Sequence, residues 1–427
     1  MRILLIGSGG REYTLAWKLT QRPRCQALFV APGNAGTSLF GYNVNLNLTT
    51  FTGLDDFIRK EAINMVVVGP EVPLVAGIYD FLRLKFSPEQ LIIIGPSAQG
   101  ALLEGSKAFA KAFMARHQIP TATYFEATQF NFQEALSFMT GMKPPIVLKA
   151  DGLAAGKGVL ICTDLDEAKA ELTAMLEGKF GTASSRVVIE EFLHGIEFSA
   201  FALTNGQDYL LLPEAKDYKR IGEQDTGLNT GGMGAVSPVT FLTPAIRQKV
   251  EDKIIKPTIQ GISQEGIAYT GIVFFGLMLC NDEPFVIEYN CRLGDPETEV
   301  IVPRLRTDLV DLFSHIHTLS QVDLDIDERY ATTVMAVSGG YPGDYTTGHT
   351  IQGLDQTQED DVLVIHAGTK KDDQKICTSG GRVLTVTALA RTLSTALEKV
   401  YKQLNKIHFD GMYYRRDIGE DLKKFNI

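Results

Sequence analysis

Ile146-Val147-Leu148-Lys149-Ala150-Asp151-Gly152-Leu153-Ala154-Ala155-Gly156-Lys157-Gly158-Val159-Leu160-Ile161-Cys162 is the stretch whose spacing decides the fold class. A Walker A loop needs four residues between its glycines, then Lys and Ser or Thr, and it runs into a helix. Here three residues separate Gly152 from Gly156, Gly158 follows Lys157, and the next segment is apolar and strand-like. The stretch therefore reads as a loop between two strands, with Lys149 and Lys157 beside bare backbone amides. Such a hairpin can close over a triphosphate and exclude water. An ordinary flexible hairpin is the plainer reading, and it leaves the lysine at each end unexplained.

A second stretch, Phe285-Val286-Ile287-Glu288-Tyr289-Asn290-Cys291-Arg292, has strand alternation, so Glu288, Asn290 and Arg292 share a face. A carboxylate and an amide oxygen two residues apart suit a hard cation that also binds phosphate oxygens. Arg292 on that face could brace a transferring phosphoryl group or an acyl phosphate. A solvated strand edge is the alternative. Against it, Gly294-Asp295-Pro296-Glu297 adds further acids at the same end.

Upstream, Ile3–Ile6, Ala27–Val30, Met65–Val68 and Leu91–Ile94 are short apolar runs stopped by Gly or Pro and followed by helical patterns. That alternation predicts a parallel sheet covered on both faces, with ligands at the strand carboxyl ends. Gly7-Ser8-Gly9-Gly10-Arg11-Glu12 is the first such corner. It fails the dinucleotide fingerprint because Glu12 stands where the third glycine belongs and the second strand ends in Ala31 rather than an acid. A phosphate-bearing substrate fits the corner better, and a tight turn with no ligand is the alternative. Glu104–Gln118 reads as one helix.

Val187–Leu193 reads as a strand ending in Glu190 and Glu191, with Glu197 shortly after. A strand that leads into a linker can offer backbone groups to an adenine edge and an acid to ribose hydroxyls, although strand-end charges are commonly just solvated. Asp225–Gly234 is a glycine-rich polar loop near Lys216, Asp217, Lys219 and Arg220, either a plain surface loop or one that meets substrate.

Bulk properties narrow the classes. The 427 residues suggest two to four domains, and 44% hydrophobic with 22% charged residues is globular. A net charge of −10 argues against a dedicated nucleic-acid or anionic-membrane binder. Five scattered cysteines without a CxxC pair read as reduced thiols of a cytoplasmic protein. No run approaches a membrane span, and MRILLIG is too short for a signal peptide.

These segments, in this order, resemble the glycinamide ribonucleotide synthetase family (phosphoribosylamine–glycine ligases) of the ATP-grasp superfamily. The resemblance rests on GSGGRE, APGNAG, GPEVPLVAG, LEGSKAFAK, KADGLAAGKG, VVIEEFL, DTGLNTGGMGA, VIEYNCRLGDPET, SGGYPGDY, HAGT, TSGGRV and YYRRDIG, and it covers nearly the whole chain. It implies an α/β and α+β multidomain ATP-grasp fold with an N-terminal parallel α/β domain and a small C-terminal β-rich domain. The domains expected are 1–103 for substrate, 104–119 with 194–327 as the central ATP-grasp domain, 120–193 as its lid, and 328–427 at the C-terminus. The implied reaction is ATP-dependent ligation of glycine to 5-phosphoribosylamine through glycyl phosphate, a step of purine synthesis.

Residue by residue, the resemblance places ATP at Lys107, Lys149, Gly152, Gly156, Lys157 and Gly158, at the adenine-edge segment Glu190, Glu191, Phe192 and Leu193, and at Glu197 for the ribose. It places Mg²⁺ (or Mn²⁺) at Glu288 and Asn290, and the acyl phosphate and glycine at Arg292 and Asp295, with Lys149 also catalytic. Gly9, Gly10 and Glu71 fall on the phosphoribosylamine side, and Asp217, Asn229, Gly231 and Gly232 on the substrate loop. Glycine and the amine are the partners, and a transient hand-over of the amine from the upstream amidotransferase is left open.

Three departures stand out: Tyr13 where the family has histidine, Glu288-Tyr289-Asn290-Cys291-Arg292 where it reads EFNAR, and Leu228 where it has proline. Cys291, off the Glu288 face, is expected to be packing. Val273–Leu279, one strand earlier, offers no further acidic metal ligand. The nearest competing reading is a biotin-carboxylase-like or formate-using ATP-grasp ligase, which lacks the DTGxNTGGMG loop and the YRRDIG tail. A catalytically dead ATP-binding protein is disfavoured by the intact Lys107, Lys149, Glu288 and Asn290.

Overall fold

The computed structural model of the chain describes residues 1–152, 158–356 and 360–425. The N-terminal apolar runs form β1 (Arg2–Gly7), β2 (Ala27–Pro32), β3 (Tyr42–Asn43), β4 (Met65–Val68) and β5 (Ile92–Ile94). They pair in parallel in the order β3-β2-β1-β4-β5. Ile3, Leu4, Leu5 and Ile6 are all fully buried, as a sheet covered on both faces requires. The order turns about β1, so the ends of β1 and β4 open a crevice at Gly7 and Gly69.

The glycine-rich hairpin belongs to a second sheet. Strands β6 (Tyr124–Thr128), β7 (Ile146–Ala150), β8 (Val159–Cys162) and β9 (Arg186–Glu191) run antiparallel in the order β6-β9-β7-β8. Helices Phe132–Thr140 and Leu165–Leu176 flank it in sequence. Ala135, Met139, Leu172 and Met175 from those helices join Ile146, Leu148, Val187 and Ile189 in an apolar cluster separate from the other cores. The unit thus has an apolar core of its own.

The remaining strands are β10 (Ile196–Thr204), β11 (Tyr209–Asp217), β12 (Arg220–Gly222), β13 (Thr226–Asn229), β14 (Gly234–Ser237), β15 (Gly271–Cys280), β16 (Glu283–Asn290), β17 (Tyr330–Val337), β18 (Val362–His366), β19 (Thr369–Asp372), β20 (Lys375–Thr378) and β21 (Arg382–Ala390). Eight of them form one sheet, β16-β15-β10-β11-β14-β17-β21-β18, and β12-β13 and β19-β20 are two-stranded ribbons. The eight-stranded sheet runs unbroken through β14 and β17, so the strand that carries Glu288 and the C-terminal strands share one lattice of hydrogen bonds. The helix Leu393–Leu404 packs on its C-terminal strands through Leu393, Leu397, Val400 and Leu404.

One element departs from expectation. Glu104–Gln118 is two helices, Ala98–Gly105 and Lys107–Arg116. Ser106 takes an extended conformation between them and accepts from the Phe109 N–H as an N-cap. Asp151, at the base of the glycine-rich loop, accepts from Ser106 Oγ at 2.9 Å and from the Ala108 N–H at 2.8 Å. A tertiary carboxylate therefore opens the second helix, which a local pattern does not reveal.

Candidate active site

A cleft of about 800 Å³ lies where the three sheets meet. Lys107, Lys149, Gly158, Glu190, Glu191, Phe192, Leu193, Glu197, Asp217, Asn229, Gly231, Glu288, Asn290, Arg292, Asp295 and Glu71 all line it. Four expected residues stand off the lining. Gly152 packs on Ala183, Gly232 on Pro296, Gly9 beside Asp295 and Glu12, and Gly10 against Glu299. Gly156 and Lys157 lie outside the described residues.

On one wall, Glu190 is a buried carboxylate between two ammonium groups, Lys149 at 3.0 Å and Lys111 at 3.1 Å. Lys111 also donates to Thr121 Oγ1 at 2.7 Å. Burial first, and the neighbouring Lys149 charge, bring Lys111 down to about 8 against the pull of Glu190. Lys107 is likewise lowered, chiefly by burial. Lys149 donates in addition to the Ile287 carbonyl at 3.1 Å. That carbonyl is free because β16 bulges there, with Gly276 opposite Glu288 and Leu277 opposite Val286.

The bulge leaves Glu288 and Asn290 facing the cleft, while Val286 and Tyr289 are buried. Lys219 stands over Glu288 at 3.9 Å and donates to Glu197 at 3.0 Å. Burial opposes its charge, but Glu197, Asp217 and Glu288 hold it protonated well above the ordinary lysine range. Glu297 lies close by, pushed up to about 8 by burial and the Asp217 charge.

Past the end of β16, Arg292 turns into the cleft, 2.7 Å from Glu104 and 3.5 Å from Glu71. Burial works against its charge, and those two acids keep it firmly cationic. Cys291 is buried as expected, yet it does more than pack: its N–H and thiol both reach Glu104, at 2.9 and 3.1 Å. Asp295 bridges toward the N-terminal corner, where Oδ2 accepts from the Arg11 N–H at 3.3 Å.

That corner explains the failed fingerprint. The Glu12 carboxylate accepts from the Gly9 N–H at 2.6 Å and from Arg11 at 2.6 Å, and it fills the space beside Gly7 and Gly69. The Glu12 side chain thus fills the close approach that the dinucleotide pattern keeps open with its third glycine. Tyr13 stacks on His366 at 5.6 Å, meets Phe40 edge-on, and covers Gly36. Burial raises its hydroxyl to about 12.

The sequence reading names Glu297 only as a further acid after the strand and Lys216 and Lys219 only as neighbours of a loop, and it assigns no role to Glu104, Lys111 or Arg382. Lys111 could have been found, since it lies one helical turn from Lys107. The others act across long sequence separations and leave no local signal.

The phosphoribosylglycinamide synthetase N domain matches residues 1–104, its ATP-grasp (A) domain 105–298 and its C domain 331–421. The chain is 47% identical to the phosphoribosylamine–glycine ligase of Vibrio parahaemolyticus and 46% identical to that of Escherichia coli K12, over 98% of both chains in each case. The crystal structure of the phosphoribosylamine–glycine ligase of Thermotoga maritima superposes with a TM-score of 0.83 at 34% identity, covering 98% of this chain and all of that one. The biotin carboxylase domain of Hydrogenobacter thermophilus 2-oxoglutarate carboxylase shares the fold at 16% identity, with a TM-score of 0.72 over 100% of this chain and 94% of that one. The chain belongs to the phosphoribosylglycinamide synthetase family, carbon–nitrogen ligases built on the ATP-grasp fold.

Proposed function

We propose that the chain joins glycine to 5-phosphoribosylamine at the expense of ATP, giving glycinamide ribonucleotide, ADP and phosphate for purine synthesis. The observation that carries this reading is a single cleft lined by Lys107 and Lys149, by Glu288 and Asn290, and by Glu71, Arg292 and Asp295, with Asp295 reaching the Arg11 N–H of the N-terminal corner.

A carboxylate is a poor electrophile and needs activation. The glycine carboxylate attacks the γ-phosphorus of ATP, the bond to the β–γ bridging oxygen breaks, and glycyl phosphate and ADP result. Lys107, Lys149 and Arg292 offset the charge on the transferring phosphoryl group. Glu190–Leu193 receive the adenine edge and Glu197 the ribose. The amine nitrogen then bonds to the acyl carbon, the carbon–oxygen bond to phosphate breaks, and the Asp295 carboxylate accepts the proton that the nitrogen sheds. Gly9, Gly10 and Glu71 orient the phosphoribosyl group, and Asp217, Asn229, Gly231 and Gly232 form the loop against the substrates. The four-stranded unit carries the glycine-rich loop over the acyl phosphate and excludes water.

Glu288 and Asn290 suit Mg²⁺ or Mn²⁺: both are hard oxygen donors on one face, and the Lys219 ammonium already lies 3.9 Å from Glu288, where positive charge is favoured. When bound, the metal neutralises phosphate oxygens. We place the reaction in the cytoplasm, with the five free cysteines reduced and the amine received by brief hand-over from its amidotransferase. Among the described residues no helix is long and apolar enough to cross a membrane.

The test is ADP release. It requires glycine and phosphoribosylamine together; release that ignores either one refutes the assignment.

A further inference from the structure

Arg382 opens β21 after Gly380-Gly381, some ninety residues from Asp295 in sequence, yet it meets Asp295, which lines the cleft. Its Nη1 donates to the Gly231 carbonyl at 2.6 Å and to the Asp295 carbonyl at 2.8 Å, while Nη2 stands 2.9 Å from Asp295 Oδ1. The turn before it is tight. Gly368 and Gly380 touch backbone to backbone, and Gly381 lies against the Tyr341 ring. Tyr341 in turn accepts from the Gly231 N–H at 2.9 Å. The C-terminal segment therefore holds both the N–H and the C=O of Gly231.

Two nitrogens of one planar group reach two carbonyls and a carboxylate. Only a guanidinium has that fork, since an ammonium is a single point of charge. We infer that Arg382 is a positioning residue of the ligation, fixing the Asp295 carboxylate and the Gly231–Gly232 loop in register with each other so that the amine meets the acyl carbon with its proton acceptor in place. The inference rests on the proton-accepting role given to Asp295 above.

The charges about Asp295 fit this role. Arg382 and Arg11 face it from two other segments, and Arg292 from its own; Glu297 and Glu299 lie on the acidic side. Burial alone would raise Asp295, but Arg382 and then Arg11 bring it below the usual carboxylate range. Glu299, fully buried with no hydrogen-bond partner on either oxygen, is pushed well up by burial and by Asp295. Arg382 thus lets one of two neighbouring acids stay ionised.

The experiment compares full-length R382M, R382K and D295N by steady-state kinetics, with ATP binding followed by calorimetry. The expected result for R382M and R382K is a kcat about 100-fold lower, the scale of a misplacement near 1 Å, with ATP affinity within about twofold of the parent. In R382M the acid limb of the kcat profile also moves to higher pH, because Asp295 loses the cation that keeps it ionised; in R382K it stays. A kcat within about twofold of the parent in R382M overturns the inference, as does an equal loss of ATP affinity, which marks a general structural role. Should R382M not fold, R382K decides alone: normal kcat overturns the need for a fork. Normal turnover in D295N refutes the role of Asp295 itself, whereas an impaired D295N beside a normal R382M refutes only the positioning role.

Discussion

Lys219 donates to Glu197 across 3.0 Å, and the same ammonium stands 3.9 Å from Glu288, so a side chain holds positive charge where the proposed metal and ribose acids converge. With Mg²⁺ and ATP bound, that charge is duplicated. Lys219→Met leaves Glu197, Asp217 and Glu288 to repel one another in the unliganded protein. The expected outcome is a Tm lower by about 1 °C, which corresponds to roughly 1 kcal/mol in a chain this large. Added Mg²⁺ recovers more of the loss than it gives the parent. Thermal melts with and without the ion check this, and equal Mg²⁺ responses refute it.

Glu288→Gln keeps the shape of the strand and removes one hard anionic donor. Glycine-dependent ADP release falls at least about 100-fold while the fold is retained, on the scale of losing a group that offsets transition-state charge. Circular dichroism confirms the fold, and near-normal turnover removes Glu288 from the metal site.

Lys111 and Lys149 share Glu190. Removing one partner of a buried ion pair is strongly destabilising when a charge is left alone, but here Lys149 remains. Lys111→Met therefore lowers stability by about 1–3 kcal/mol and ties Lys149 more tightly to Glu190, away from phosphate. KM for ATP rises about tenfold, more than kcat falls. A double-mutant cycle with Glu190→Gln measures the coupling, and a coupling near zero would sink the idea.

His366 is buried under Tyr13, and burial lowers it from 6.5 to about 4. A depressed histidine stays neutral in the fold, so its stabilising contribution is present above the unfolded value. It is lost as pH falls from about 6.5 toward about 4, by up to on the order of 3 kcal/mol. Chemical denaturation across that window gives a slope that His366→Phe flattens. An unchanged slope in the variant contradicts the assignment.

Replacing Gly156 and Gly158 with alanine removes from the sequence between β7 and β8 two residues of the widest backbone freedom. Turnover slows, or ATP hydrolysis uncoupled from ligation rises about tenfold, because the lid no longer excludes water. Coupled and uncoupled phosphate release distinguish the two, and no change in either refutes the lid.

The local patterns were legible where chemistry and backbone coincide. Apolar runs ending at Gly7, Gly69 and Gly95 stated the parallel sheet, and the Gly152–Gly156 spacing separated a strand-to-strand hairpin from a Walker loop. Alternation put Glu288 and Asn290 on one face, although the bulge at Ile287 that frees a carbonyl for Lys149 has no mark in the sequence. Ser106 broke an expected helix because Asp151 caps it from a distant segment.

Sequence by itself determined the elements and the kinds of donor at their ends, since both follow from residues adjacent along the chain. Only the tertiary structure decided which charges neutralise which. Glu190 lies between Lys111 and Lys149, Lys219 over Glu197 and Glu288, Glu104 against Arg292 and Cys291, and Arg382 on Asp295. Coulomb energy depends on distance in space and on burial, and neither is a function of separation in sequence.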